Sequence, residues 1–490
     1  MQSWFGRAIH GTGLAVFAEI LARMSNTIFF ILLTWQTNQI EASTFSVGFI
    51  YTGLLAAFCL GGLEQVLNRE ASRNITESQV TLGNFLLART VTSLLIFGGL
   101  CVWLFQFSTY NAHTLAVIIL IGSTLIPESL TNLFQSFFIA AQRLSYIVTI
   151  NTIAGIVRVV LGGSIIWIGG NSVSVAFVIS ITSWLSMLAY FILVGNLFFW
   201  PAISLQPHLW KQYAQAEIPL FMMALMASLE SNFDGLLLSN GGRNDIVLVG
   251  AYNAAGTLLN ALLIIPNSFR QIILSIFASI YHKDRKKTYI IYEQSIRLLL
   301  FLSLFICLIV TFYAEHFISL LYRRSFSAAI PVLQILIWSF LWMMLLVPNG
   351  RLMLTAGIQH KAVLPQLAGM LLNISLNLAL QPHYNVVGAA IAKVSSATLV
   401  CLWCWWIVWR DLHAWQALPV LWPAIGASLA TFSFFLLSLP VQLPWILAAI
   451  LTTLIYLVTL YLLGGIRAAE LQALQRWLRL RNQHSILGGK

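Results

Sequence analysis

The stretch from Glu217 to Asn240, EIPLFMMALMASLESNFDGLLLSN, has the length and apolarity of a membrane-spanning helix, yet it carries Glu217, Glu230 and Asp234. Glu230 and Asp234 are four residues apart and share one helical face, which Met223 and Ala227 continue. A carboxylate in hydrocarbon costs roughly 2.5–3.5 kcal/mol on insertion scales, so such a residue faces a bundle interior or a water-filled cavity. Two readings fit: a helix end that brings Asp234 to water, or a helix lining a polar path.

The rest of the chain has the same character. Its 490 residues are 59% hydrophobic and 8% charged, with a mean hydropathy of +0.85. Soluble domains carry about 25% charged residues, so a soluble globular protein is excluded. Apolar runs recur from end to end, as in a polytopic α-helical membrane protein. Spans are expected at 12–35, 45–67, 82–106, 113–139, 145–168, 173–199, 214–238, 247–270, 290–313, 330–354, 362–381, 386–410, 418–438 and 444–464, about fourteen in all. The first run, interrupted by Glu19 and Arg23, lacks a small-residue cleavage site and reads as a span, not a signal peptide.

Charge distribution gives the orientation. With the N-terminus inside, 18 of the 26 lysines and arginines fall in inner segments, 3 in outer loops (Arg243, Arg323, Arg324) and 5 within spans. This positive-inside bias predicts cytoplasmic termini at both ends and accounts for the net charge of +11 without nucleic acid. The outer loops are short, which leaves no room for the large external catalytic loops of a membrane polymerase or ligase. No Gly-rich phosphate loop is visible, so ATP hydrolysis by this chain is not expected.

Weak internal repetition pairs SNTIFFILL at 25–33 with SNFDGLLL at 231–238, and VGFIYTGLL at 47–55 with VGAYNAAGTLL at 249–259, about 200 residues apart. Such a parallel repeat predicts two six-helix lobes around a central cavity, plus two C-terminal helices. The expected division is an N-lobe at 1–200, an interfacial linker at 201–215, a C-lobe at 216–411, and spans 13–14 with a basic amphipathic cytoplasmic tail at 412–490. The tail's Arg476, Arg479 and Arg481 suit anionic membrane lipids.

The cations within spans are Arg23, Arg89, Arg158, Arg297 and Lys393. Guanidinium grips an oxyanion in bidentate fashion, so Arg23, Arg158, Arg89, Arg297 and the neighbouring Arg270 are candidate ligands for a phosphorylated cargo. Glu19 and Arg23 also form an i, i+4 pair that neutralises itself or joins the same site. Asp234, Asn373, Asn377 and Lys393 share a depth toward the expected outer side. They form either a site for Na⁺ or H⁺ or a structural Asp234–Lys393 pair. The cysteines, including Cys401 and Cys404 in CLWCWWIVW, lie in apolar runs and read as packing residues, with no metal centre or cofactor implied. Pro127, Pro219, Pro266, Pro348 and Pro365 mark expected bends.

GFIYTGLLAAFCLGGLEQVLNREASR at 48–73, LYRRSFSAAIPVLQIL at 321–336 and LLNISLNLALQPHYNVVGAAIAKVSS at 371–396 resemble the Wzx-type polysaccharide flippases of the MATE-like superfamily. The resemblance runs over about residues 10–410 and departs at Arg323–Arg324, where members often carry Gly. It implies a transporter, not an enzyme. Its cargo would be polyprenyl-diphosphate-linked oligosaccharide, moved from the inner to the outer leaflet of a bacterial cytoplasmic membrane, alongside other polysaccharide-assembly proteins. It also implies a cation site at Asp234, Asn373 and Asn377, a pattern to which Lys393 does not obviously belong. A multidrug or cation antiporter of the same superfamily, or a polymerase or ligase, is the alternative.

Overall fold

Proline and glycine set where the apolar runs become separate helices. The computed structural model describes residues 27–59, 62–75, 78–204, 207–239, 243–323, 325–412, 418–438 and 444–465, and all regular structure among them is helical. Ten helices among the described residues are long and apolar enough to cross a membrane, and two shorter apolar ones accompany them. The protein is a multi-pass α-helical membrane protein.

The chain enters with α1 (Thr27–Gln36) and α2 (Gln39–Cys59). The expected span at 45–67 does not run on as one helix. It stops at Cys59, and Gly62 caps a short amphipathic helix, α3 (Leu63–Arg73). Next come α4 (Ser78–Phe107), α5 (Ala112–Gly122), α6 (Leu125–Ala140), α7 (Leu144–Trp167) and α8 (Ser172–Leu197). The fourth expected span divides at Ser123–Thr124 because Pro127 has no N–H and its ring collides with the carbonyl of residue i−4. The eighth divides the same way, into α10 (Arg243–Leu262) and α11 (Ile264–Ile280), just before Pro266.

Between them, α9 (Pro207–Leu238) begins earlier than expected. Most of the stretch read as an interfacial linker is therefore continuous with the seventh span. Proline at the first helical position suits a helix start, where the N–H is unsatisfied anyway. The chain continues through α12 (Arg285–Phe312), α13 (Ala314–Tyr322), α14 (Ala329–Leu336) and α15 (Trp338–Thr355). Then come α16 (Val363–Leu412), α17 (Leu418–Ser438) and α18 (Trp445–Leu462). α16 is two helices joined at Asn385 (φ 47°, ψ −127°), where the expected spans 362–381 and 386–410 meet.

Large apolar side chains such as Leu95 and Phe105 on α4 and Val160 and Trp167 on α7 are exposed. In a membrane protein that surface is solvated by lipid. Inside, Phe85, Phe134, Phe137, Phe138 and Tyr190 pack α3, α4, α6 and α8 together.

Two compact units interleave along the chain. One comprises the described residues through Ala261 with Ile318–Val332 and Met370–Lys393; the other holds Leu262–Phe317, Leu333–Gly369 and the described residues from Val394 on. In the first unit the two arms of α16 meet backbone to backbone: a Cβ on Gly388 would sit 2.8 Å from both the carbonyl carbon and oxygen of Leu380. Backbone cannot step aside as a flexible side chain can. Gly388→Ala should therefore lower stability by about 1–3 kcal/mol, the usual cost of overpacking. Gly98→Ala, with nothing within 4 Å in the interior of α4, is the control that should lose no stability and gain up to about 1 kcal/mol from alanine's helix preference. Thermal unfolding of the purified protein in detergent measures both.

Candidate functional site

Three polar features stand out within these apolar helices, two in the first unit and one in the second. The first surrounds Asp234, near the end of α9 and fully buried. Its Oδ2 accepts from the Tyr252 hydroxyl of α10 at 2.8 Å, and its Oδ1 accepts from Asn377 Nδ2 of α16 at 2.7 Å. Asn373, Asn377 and Gln381 lie at i, i+4 and i+8, so the first arm of α16 presents them as one stripe. Asn377 Nδ2 also donates to the Asn373 carbonyl (2.9 Å) and Oδ1 (3.1 Å). Gln381 Nε2 donates to Asn377 Oδ1 at 2.6 Å and to the Asp234 carbonyl at 3.2 Å. From the second arm, Lys393 Nζ donates to the carbonyl of Glu230, one turn before Asp234, at 2.5 Å. Its ammonium is within electrostatic reach of the Asp234 carboxylate. The structure thus brings together all four residues of the expected ion site and adds Tyr252 and Gln381.

The second feature is a polar cavity of about 220 Å³ between α6, α7 and α8. Pro127 starts α6 afresh and so puts Glu128 in its first turn, where the helix dipole favours a carboxylate. Arg158 on α7 donates from Nε to Thr182 Oγ1 and from Nη2 to Ser183 Oγ of α8, each at 3.1 Å. Ser183 Oγ reaches Glu128 Oε1 at 3.5 Å, so a hydroxyl links the guanidinium to the acid. Asn151 Oδ1 accepts from Tyr190 (3.0 Å) and Gln135 (3.3 Å) on the same wall.

The third lies in the second unit. Arg270 on α11 is within electrostatic reach of Arg351 on α15, and these two helices pack directly on each other. Two cations held this close oppose each other unless an anion joins them. The same unit carries an apolar groove of about 800 Å³ whose lining includes Trp338, Trp342, Trp405, Trp406 and Trp409.

Other expected site residues are dispersed. Arg89 on α4 is buried and pairs through Nη2 with Glu64 Oε1 of α3 at 3.3 Å. Arg297 is buried on α12. Glu19 and Arg23 lie outside the described residues, as does the tail from 466 onward. Arg323 takes the left-handed conformation, φ 48°, at the end of α13, and its guanidinium stacks 4.8 Å over Trp35. Cys59, Cys307, Cys401 and Cys404 are buried and Cys101 is partly so, and none is in a disulfide. Among the described residues no group of three or more His, Cys, Asp or Glu converges as a metal site.

Four participants were not singled out from the sequence. Glu128 in STLIPESL is an acid inside an apolar run, the same signal that marks Asp234. Gln381 extends the Asn373–Asn377 spacing by one further step of four. Arg351 reads as an inner-loop cation, and Tyr252 as a packing residue.

Comparison with known proteins turns this geometry into a family assignment. The model of a family described as polysaccharide biosynthesis protein matches residues 8–273, more than half of the 490 residues. The chain belongs to that family. No curated protein sequence matches it. Among solved structures it resembles lipid II flippase MurJ in an inward closed conformation, with a TM-score of 0.73 and 12% identity over 92% of this chain and 98% of that one. It also resembles an inward-facing multidrug resistance MATE family transporter of the MOP superfamily (TM-score 0.61, 13% identity, 79% and 94% covered). A third is a MOP superfamily transporter from Pyrococcus furiosus (0.56, 12%, 81% and 95%). At these identities the likeness establishes the fold, which the chain shares with these transporters.

The linked Glu128–Ser183–Arg158 chain makes a stability prediction. Arg158→Met and Glu128→Gln should each destabilise the protein by about 1 kcal/mol or less, because each leaves its partner without the opposite charge while both groups still face the polar cavity. The double variant should lose less than the sum of the two. Additive losses in thermal unfolding would show that the two groups do not interact.

Proposed function

We propose that this protein is a flippase that moves polyprenyl-diphosphate-linked oligosaccharide from the cytoplasmic to the outer leaflet of a bacterial cytoplasmic membrane by alternating access. The observation that carries the reading is membership of the polysaccharide biosynthesis family in a chain that shares the fold of MurJ. Both termini are cytoplasmic in this reading, and the chain is a transporter, not an enzyme. Other polysaccharide-assembly proteins are its partners on either side of the membrane.

The diphosphate needs cationic ligands that are not already neutralised. Arg89 is balanced by Glu64, and Arg158 is held by Thr182, Ser183 and, through Ser183, Glu128. Arg270 with Arg351 is the better-suited pair, since an oxyanion between them relieves their repulsion. Arg23 and Arg297 are carried in the proposal by their place in expected spans and not by lack of a partner, with Glu19 as the acid that orients Arg23. The Trp-lined apolar groove suits a hydrocarbon chain, either the cargo's polyprenyl tail or a membrane lipid.

Leaflet-resolved assay of the lipid-linked precursor tests the function. Loss of the protein should trap precursor on the cytoplasmic leaflet. Precursor that crosses normally but yields polymer of altered length would mark a polymerase. Efflux of cationic drugs without an effect on precursor would mark an antiporter.

A second measurement addresses the cations. Arg270→Ala and Arg351→Ala should each lower the flipping rate about tenfold or more, since a charge-assisted hydrogen bond contributes roughly 1.5–3 kcal/mol. Arg270→Lys should recover it only in part, because it keeps the charge and loses the fork. Full rates in both alanine variants, at normal membrane insertion, would remove these residues from the cargo site.

A further inference from the structure

The family resemblance implies a cation bound by Asp234, Asn373 and Asn377, and the atoms around Asp234 do not fit one. A hard cation needs several oxygen atoms converging on one point. Here donors converge on the carboxylate: the Tyr252 hydroxyl on Oδ2 and the Asn377 amide N–H on Oδ1. The Asn377 amide cannot simply turn its oxygen inward. Its Nδ2 also donates to the Asn373 carbonyl and Oδ1, and its Oδ1 accepts from Gln381. Turned, its oxygen would face Asp234 Oδ1 and both Asn373 oxygens, an arrangement stable only with an added cation among them; with Lys393 supplying the charge, the donor stays inward. The carbonyl of Glu230 is taken by the Lys393 ammonium.

Charge leads to the same result. A buried carboxylate needs a counter-charge, and Lys393 supplies one. A free cation at the Asp234 carboxylate would set a second positive charge beside the ammonium, which is unfavourable.

We propose that Lys393 is itself the cation of this site: its ammonium, tethered to the second arm of α16 and anchored on the Glu230 carbonyl, balances Asp234, and the site takes up no free alkali-metal ion. Lys393 thus determines ion specificity. Remove the ammonium, and a carboxylate remains that a small cation can balance.

The inference does not depend on the cargo, so its test reads ion binding and not transport. The purified full-length protein in detergent is unfolded thermally across a NaCl series, with choline chloride holding the ionic strength constant. The wild-type midpoint should not move with Na⁺. Lys393→Ser should acquire a saturable stabilisation by Na⁺, and Asp234→Asn added to Lys393→Ser should abolish it. Lys393→Arg, which keeps the charge, should stay insensitive.

A saturable Na⁺-specific stabilisation of the wild type that Asp234→Asn removes would overturn the proposal. So would a folded Lys393→Ser protein indifferent to Na⁺. If Lys393→Ser does not fold, the wild-type and Lys393→Arg titrations decide the question: Na⁺-specific stabilisation of either rejects it, and insensitivity of both upholds it. Failure of the flippase reading in the leaflet assay would leave these outcomes untouched.

Discussion

A carboxyl group buried in an apolar helix bundle must be compensated, and Asp234 imposes that requirement on the first unit. Three segments answer it: the next helix, α10, through Tyr252, and, about 140 to 160 residues on, the first arm of α16 through Asn377 and the second through Lys393. Each partner is useful only at one register along its helix, so the contacts fix how α9, α10 and both arms of α16 are aligned. Gly388 is part of the same requirement. It lets the arms approach closely enough for Gln381 and Lys393 to reach the same short stretch of α9.

The helix breaks follow a related logic. A break inside hydrocarbon exposes backbone carbonyls that only protein or cavity water can satisfy. The breaks before Pro127 and Pro266 give rise to the first turns of α6 and α11. α6 carries Glu128 at the polar cavity, and α11 carries Arg270 beside Arg351. Irregular backbone and charge occur on the same helices here, each within its own unit.

Much of this architecture was legible in the sequence, because the apolar runs have membrane-spanning length and two of the five marked prolines, Pro127 and Pro266, fall at helix breaks, whereas Pro219, Pro348 and Pro365 lie inside continuous helices. The junction of the eleventh and twelfth spans fell on the observed kink at Asn385. Two boundaries were not readable: Gly62 looks like one more small residue in an apolar run, and the polar stretch before α9 looks like a linker. At the site, the i, i+4 spacing of Asn373 and Asn377 was readable, and family resemblance joined them to Asp234. Tyr252 and Gln381 were not readable, because a phenol or an amide in an apolar helix looks the same whether it packs or donates. Arg323 shows both sides. The departure from glycine was visible in sequence; its reason needed φ 48° and the Trp35 ring, which together let an arginine occupy a position suited to glycine.

The cysteines carry a practical consequence. Thiol reagents act on the thiolate, and these side chains are mostly enclosed among apolar neighbours, with no disulfide to preserve. The natural chain is therefore a quiet background for aqueous maleimide chemistry. A single cysteine introduced along the walls of the polar cavity or beside Arg351 would report its own wetting, without first rebuilding the protein as a cysteine-free variant.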